Sequence, residues 1–168
     1  MRSEKIKNII RGEFTYEGKA YFPLLDTQID VYFDYDVPTE YADRCVSRLE
    51  NLKQSTIDRL CAGAYNYCED FSLMAGEEIV PRGTAPAQIL EYVYPLVMII
   101  ETPLTDEVAW HMECGCRWDE EHGLEWTVRG DEVLYVGAFS DESPWLDREY
   151  FATADWNYAP IATGCSQR

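Results

Sequence analysis

The chain has 168 residues, 46% of them apolar, and carries 31 acidic against 14 basic side chains for a net charge of −17. Its length suffices for one substantial core but not for two, so a single domain spanning 1–168 is expected. The charge argues against nucleic acid and anionic membrane surfaces as partners, because it repels phosphates and lipid headgroups, and it favours a positively charged protein surface.

At the amino terminus Met1 to Lys7 is charged, and the apolar stretch around Ile9 and Ile10 ends at Arg11, so no export signal is read there. The longest apolar run, Tyr92 to Ile100, is interrupted by Pro95 and is too short to span a bilayer. A cytoplasmic protein is therefore expected. Its six cysteines (Cys45, Cys61, Cys68, Cys114, Cys116 and Cys165) read as reduced thiols.

Short extended runs open the chain over Ile6–Phe14, Lys19–Leu25 and Gln28–Asp36. In the third, Ile29, Val31, Phe33 and Tyr35 share a face opposite Asp30, Tyr32, Asp34 and Asp36, which is the pattern of a half-buried strand. Pro38-Thr39 marks a change of period. Thr39 is positioned as an N-cap, and Tyr41, Cys45, Leu49 and Leu52 recur at helical spacing. A second helix follows, with Ser55 and Asp58 spaced as a capping box and an apolar stripe of Ile57, Leu60, Cys61, Ala64, Cys68 and Phe71 running up to Gly76. Pro81–Pro86 reads as a loop, Ala87–Val93 as a short third helix and Leu96–Ile100 as an apolar strand.

From Glu107 to Gly137 the alternation has period two. Val108, Trp110, Met112, Cys114, Cys116 and Trp118 face one way, and after the loop at 119–123 Leu124, Trp126 and Val128 do the same. The opposite set, Ala109, His111, Glu113, Glu125, Thr127 and Arg129, is expected to meet water. Gly130-Asp131 suits a two-residue type II′ turn into Val133–Val136. The tail from Asp141 to Arg168 reads as aromatic-rich irregular structure covering the sheet. Strands, then helices, then strands predict an α+β domain: a largely antiparallel sheet ending in a β-meander, with two to three helices on one face.

Charge is unevenly placed. Residues 1–30 are balanced, whereas residues 101–155 hold 15 acids against three bases. The candidate chemical sites are weak by comparison. His111, Cys114, Cys116 and His122 include zinc-type ligands, but strand parity sends His111 to the face opposite the two cysteines. Glu120, Glu121 and His122 could supply an acid–base pair, yet adjacent carboxylates in a hairpin loop are more often solvated, and the spaced oxygens of a calcium loop are lacking. Cys114 has no histidine on its own face to act as base. No catalytic residue, cofactor or metal is expected.

The run Cys116-Arg117-Trp118-Asp119-Glu120-Glu121-His122-Gly123-Leu124, with Val133–Gly137 after it, resembles a family of small uncharacterised bacterial domains bearing a Cys-x-Trp-Asp-x-Glu-His-Gly-Leu signature. Glu125 and Trp126 stand where that family usually has Gly-Val. The similarity runs from about Gly12 to Gly137, and it implies the same order of elements and a shared hairpin. It also implies an immunity protein or another part of a bacterial toxin system, and it brings no catalytic residues. The leading expectation is thus an acidic immunity-type protein that occludes a basic toxin domain. Glu120, Glu121, Glu125, Asp131, Glu132, Asp141 and Glu142 would steer association and Trp145 would act as a desolvated anchor. The alternatives are a non-catalytic binding module of other bacterial or phage context, and an enzyme or metal-binding protein using the Asp119–His122 loop.

Overall fold

Seven runs of alternating side chains form one sheet with its strands in chain order: β1 (Lys7–Arg11), β2 (Thr15–Phe22), β3 (Thr27–Asp34), β4 (Val93–Ile100), β5 (Ala109–Cys116), β6 (Leu124–Arg129) and β7 (Glu132–Gly137). The structure is a computed structural model that describes residues 1–160, so Cys165 and the end of the aromatic tail lie outside the described residues. All neighbouring strands are antiparallel except β3 and β4, which pair in parallel from Asp30 opposite Val97 to Phe33 opposite Ile100. A parallel pair needs a crossover. Here the crossover holds α1 (Thr39–Glu50), α2 (Gln54–Ala75) and a 3-10 helix (Pro86–Tyr92), which is the short third helix expected over Ala87–Val93. The architecture is the α+β one, with the meander formed by β5, β6 and β7.

The helices bury the faces that their spacing predicts. Tyr41, Cys45 and Leu49 of α1 and Leu60, Ala64 and Cys68 of α2 are buried against the inner sheet face, where they meet Phe33, Trp110, Met112, Trp126 and Val136. Each such side chain taken out of water contributes about 1.5–3 kcal/mol. Gly63 marks the closest approach of α2 to the sheet, since a Cβ there would lie 2.7 Å from the Val136 side chain. The helix starts differ from expectation. Pro38 rather than Thr39 precedes α1, and α2 begins at Gln54 with Lys53 as its cap, so Ser55 lies inside the helix and forms no capping box.

The outer face of the meander is a correction. Ala109, His111, Glu125, Thr127 and Arg129 were expected to meet water, and all five are buried. The chain after β7 lies over them as a strap, residues 138–147, which leads into α3 (Arg148–Ala152); Phe151 of α3 packs on Leu134 and Tyr135. Glu125 and Arg129 are met locally, whereas both His111 nitrogens and Arg129 Nε have no hydrogen-bond partner among the described residues. Glu125 accepts the backbone N–H groups of Ser140 and Asp141 and the hydroxyl of Thr127, while Arg129 donates to the carbonyls of Pro144 and Leu146. Ser143 donates to Glu101, and the buried His111 ring lies 3.6 Å from both Glu101 and Glu125. Polar alternation survives burial here because the strap's own backbone supplies the partners.

No helix among the described residues is long and apolar enough to cross a membrane. The five described cysteines are unbridged and buried.

Candidate functional site

Trp118, Asp119, His122 and Gly123 of the signature hairpin each have a structural task. Trp118 is buried edge-on against Tyr67 of α2, with ring centroids 5.9 Å apart. Asp119 is buried behind it and accepts three hydrogen bonds: from the Tyr67 hydroxyl at 2.6 Å, from the His122 backbone N–H at 3.0 Å and from His122 Nδ1 at 3.0 Å. The Asp119 carbonyl accepts the Gly123 N–H, which closes the turn. Gly123 sits at φ +67, and a Cβ there would come within 2.6 Å of the Cys114 carbonyl oxygen, so glycine is required on both counts.

Electrostatics in this hairpin are set by Asp119. Burial alone would raise its carboxyl, but the hydrogen bonds from Tyr67 and His122 outweigh that and hold it below the ordinary 3.8. Burial and the Asp119 carboxylate push the Tyr67 hydroxyl the other way, so the proton stays on the phenol. Because an ionised carboxylate only accepts, the proton of His122 is held on Nδ1 and Nε2 faces solvent. Such an oriented imidazole can pass a proton, but the neighbouring thiol of Cys116 is turned to the Asp119 carbonyl and pushed up to about 12 by burial. Among the described residues no group of three or more His, Cys, Asp or Glu side chains is arranged to hold a metal ion.

The eight residues expected to form one partner surface are dispersed. Glu120 and Glu121 are exposed at the β5–β6 loop. Asp131 and Glu132 occupy the β6–β7 turn at the other end of the strands, about 20 Å away along β6. Both are engaged there: Asp131 with Arg48 of α1 and Lys53, Glu132 with Arg148 of α3. Their pull on Asp131, from Lys53 foremost, lowers its carboxyl. Glu125, 0% exposed, anchors the strap and cannot steer a partner. Asp141 is exposed on the strap with φ +57, and Glu142 accepts the Tyr150 hydroxyl. Trp145 is half-buried against the core with its indole N–H enclosed, which removes it as an exposed anchor.

What the fold does gather around Glu120 and Glu121 comes from elsewhere in the chain. Tyr67 ties the loop to the second half of α2, where Glu69 and Asp70 are exposed. Tyr158 stacks on Tyr67 with centroids 5.1 Å apart and donates to Asp70; burial and that carboxylate push its hydroxyl up to about 12. Trp156 is 54% exposed, and its backbone rests on Gly137, which lies opposite Glu125 at this same end of the sheet. These contacts bring the exposed carboxylates of Glu120, Glu121 and Asp70 to one end of the molecule as an acidic pole, and the exposed Asp155 and Trp156 lie just before Tyr158 in the chain. Trp156 lies in the stretch that the sequence reads as an aromatic-rich irregular tail. Asp70 and Tyr67 carried no signal, since their relation to the hairpin is purely tertiary.

The chain matches the family described as domain of unknown function (DUF6985) over residues 6–143, which is most of its length, and it belongs to that family. The signature hairpin, α2 and the whole sheet fall within the matched span, whereas α3 and Trp156 follow it. No curated protein and no solved structure matches the chain.

Proposed function

We propose that this protein is a non-catalytic binding module whose partner presents a basic surface, and that it acts as an immunity-type protein occluding a toxin domain. The observation that carries the reading is the acidic pole: exposed carboxylates on the signature hairpin and on α2 lie at the end of the molecule where Tyr158 stacks on Tyr67, two residues from an exposed tryptophan. Exposed carboxylates raise the rate of encounter with a cationic surface, and an exposed indole supplies the kind of anchor on which interface affinity concentrates. Seven basic side chains, among them Arg48, Lys53 and Arg148, are held in ion pairs on the protein itself, six of the pairs away from the pole. They therefore compensate little of its charge.

Relative to the sequence expectation, the steering role stays with Glu120 and Glu121, the anchor passes from Trp145 to Trp156, and Glu125 leaves the surface. The test is direct binding to the purified product of the adjacent gene. Glu120→Lys with Glu121→Lys should slow association about tenfold or more at low salt with little change at high salt, and Trp156→Ala should speed dissociation. A pair of proteins that do not associate, or association rates that ignore the charge reversal, would refute the reading.

A further inference from the structure

Beyond the pole, α2 continues for about two turns past Tyr67 and presents one stripe that runs from the buried Cys68 to the exposed Leu73. Tyr65, Cys68, Glu69, Ser72, Leu73 and Gly76 recur at three- and four-residue spacing and so share a face of the helix. The loop that follows Gly76 turns back alongside this stripe, and together they enclose a groove of about 500 Å³.

Its floor is apolar. Cys68 and Val80 are buried, and burial raises the Cys68 thiol, which keeps it neutral. At the open side Leu73 is 80% exposed and the neighbouring Met74 71%, an unusual cost for two large apolar side chains on adjacent helix positions. The rim is acidic, with Glu69, Glu77 and Glu78. Among the described residues one base lines the groove, Arg82, and Glu78 holds it at 3.4 Å while also accepting the Arg82 N–H to brace the loop. Among the described residues Glu69 and Glu77 therefore have no cation on the groove lining to pair with.

Resting on the reading above, we infer that this groove seats a basic, partly apolar segment of the partner protein. Lysine or arginine side chains suit both surfaces at once: their alkyl stems cover Leu73 and Val80 while their charged heads reach Glu69 and Glu77. The groove and the pole share α2, which gives Asp70 to the pole and Glu69 to the groove. The pole then governs encounter, and the groove governs how long the complex lasts.

The test uses a short fluorescein-labelled peptide of Lys and Leu at helical spacing, beside a Lys–Ser peptide and a Glu–Leu peptide of equal length, with anisotropy read on the whole chain. The Lys–Leu peptide should bind about tenfold or more tighter than the Lys–Ser peptide, the gain expected from covering one leucine-sized surface, and the Glu–Leu peptide should not bind. The double variant Leu73→Ser with Met74→Ser, whose positions are exposed and whose melting temperature should be unchanged, should lose most of that gain. The pair Glu69→Gln with Glu77→Gln should flatten the salt dependence, and Glu120→Lys with Glu121→Lys should leave the peptide's affinity within about twofold. Equal binding of the Lys–Leu and Lys–Ser peptides, or indifference to both groove variants, overturns the inference. Loss of binding only in the Glu120 and Glu121 variant also overturns it, while leaving the acidic pole as the docking site. If sedimentation finds the free chain dimeric and the Leu73 and Met74 variant monomeric, the groove belongs to a second copy and the inference is likewise wrong.

Discussion

Over β1 to β4 the outer face of the sheet meets solvent, and charges such as Lys19 and Asp30 neutralise each other on it at 2.6 Å. Over β5 to β7 the same face lies beneath the strap, where Glu125 and Arg129 anchor its backbone and Glu101 accepts its Ser143 hydroxyl. The two halves use similar residues for opposite purposes. Carboxylates on the open half are surface groups, each worth little to stability. On the covered half a carboxylate is a structural part whose loss strands several donors. A count of acids along the chain therefore overstates the charge that a partner meets, and the charge available for docking lies at the pole where the β5–β6 loop meets α2.

Breaking the covered half should have the largest effect. Glu125→Ala leaves the Ser140 and Asp141 N–H groups and the Thr127 hydroxyl without their acceptor, and it should cost about 3–5 kcal/mol in urea unfolding while freeing the strap to proteolysis. Gly123→Ala forces a side chain into positive φ and against the Cys114 carbonyl, at an expected cost of about 2–3 kcal/mol, read as a lowered melting temperature. Tyr67→Phe removes one of the bonds that keep Asp119 ionised and should cost about 1–3 kcal/mol at neutral pH.

That last variant also has a pH signature. A carboxyl lowered by folding adds stability that is fully present above its unfolded value, 3.8 for Asp119, and that fades as pH falls through the lowered one. Tyr67→Phe should therefore narrow its gap from wild type as pH drops below about 4, measured as urea midpoints across that range. At the small end, Asp30→Ala on the open half should change stability by no more than about 0.5 kcal/mol. A cost there equal to that of Glu125→Ala would erase the distinction between the halves.

Much of the fold was legible because periodicity reports which side chains share a face. The inward set of the meander, the stripe of α2 and the hairpin at 119–123 all follow from spacing. Whether the other face of a strand meets water is not legible in that way. Glu125, Thr127 and Arg129 alternate with apolar residues as they would in a half-exposed sheet, and the groups that satisfy Glu125 and Arg129 from the strap are backbone amides and carbonyls of residues 140–146, which every sequence possesses. The candidate site was half legible for a similar reason. Glu120 and Glu121 announced themselves as a charged loop, but Asp70 and Trp156 come to the same end of the molecule only through the Tyr67 contacts with Asp119 and Tyr158.

Hydrogen exchange of the chain, free and bound to the product of the adjacent gene, tests docking at the acidic pole most directly. New protection is expected at 119–123, along 66–82 and at 153–158, with the outer surface of β1 to β4 unchanged. Protection confined to β2 and β3 around Lys19, Asp30 and Tyr32, with the pole exchanging as in the free protein, would contradict it.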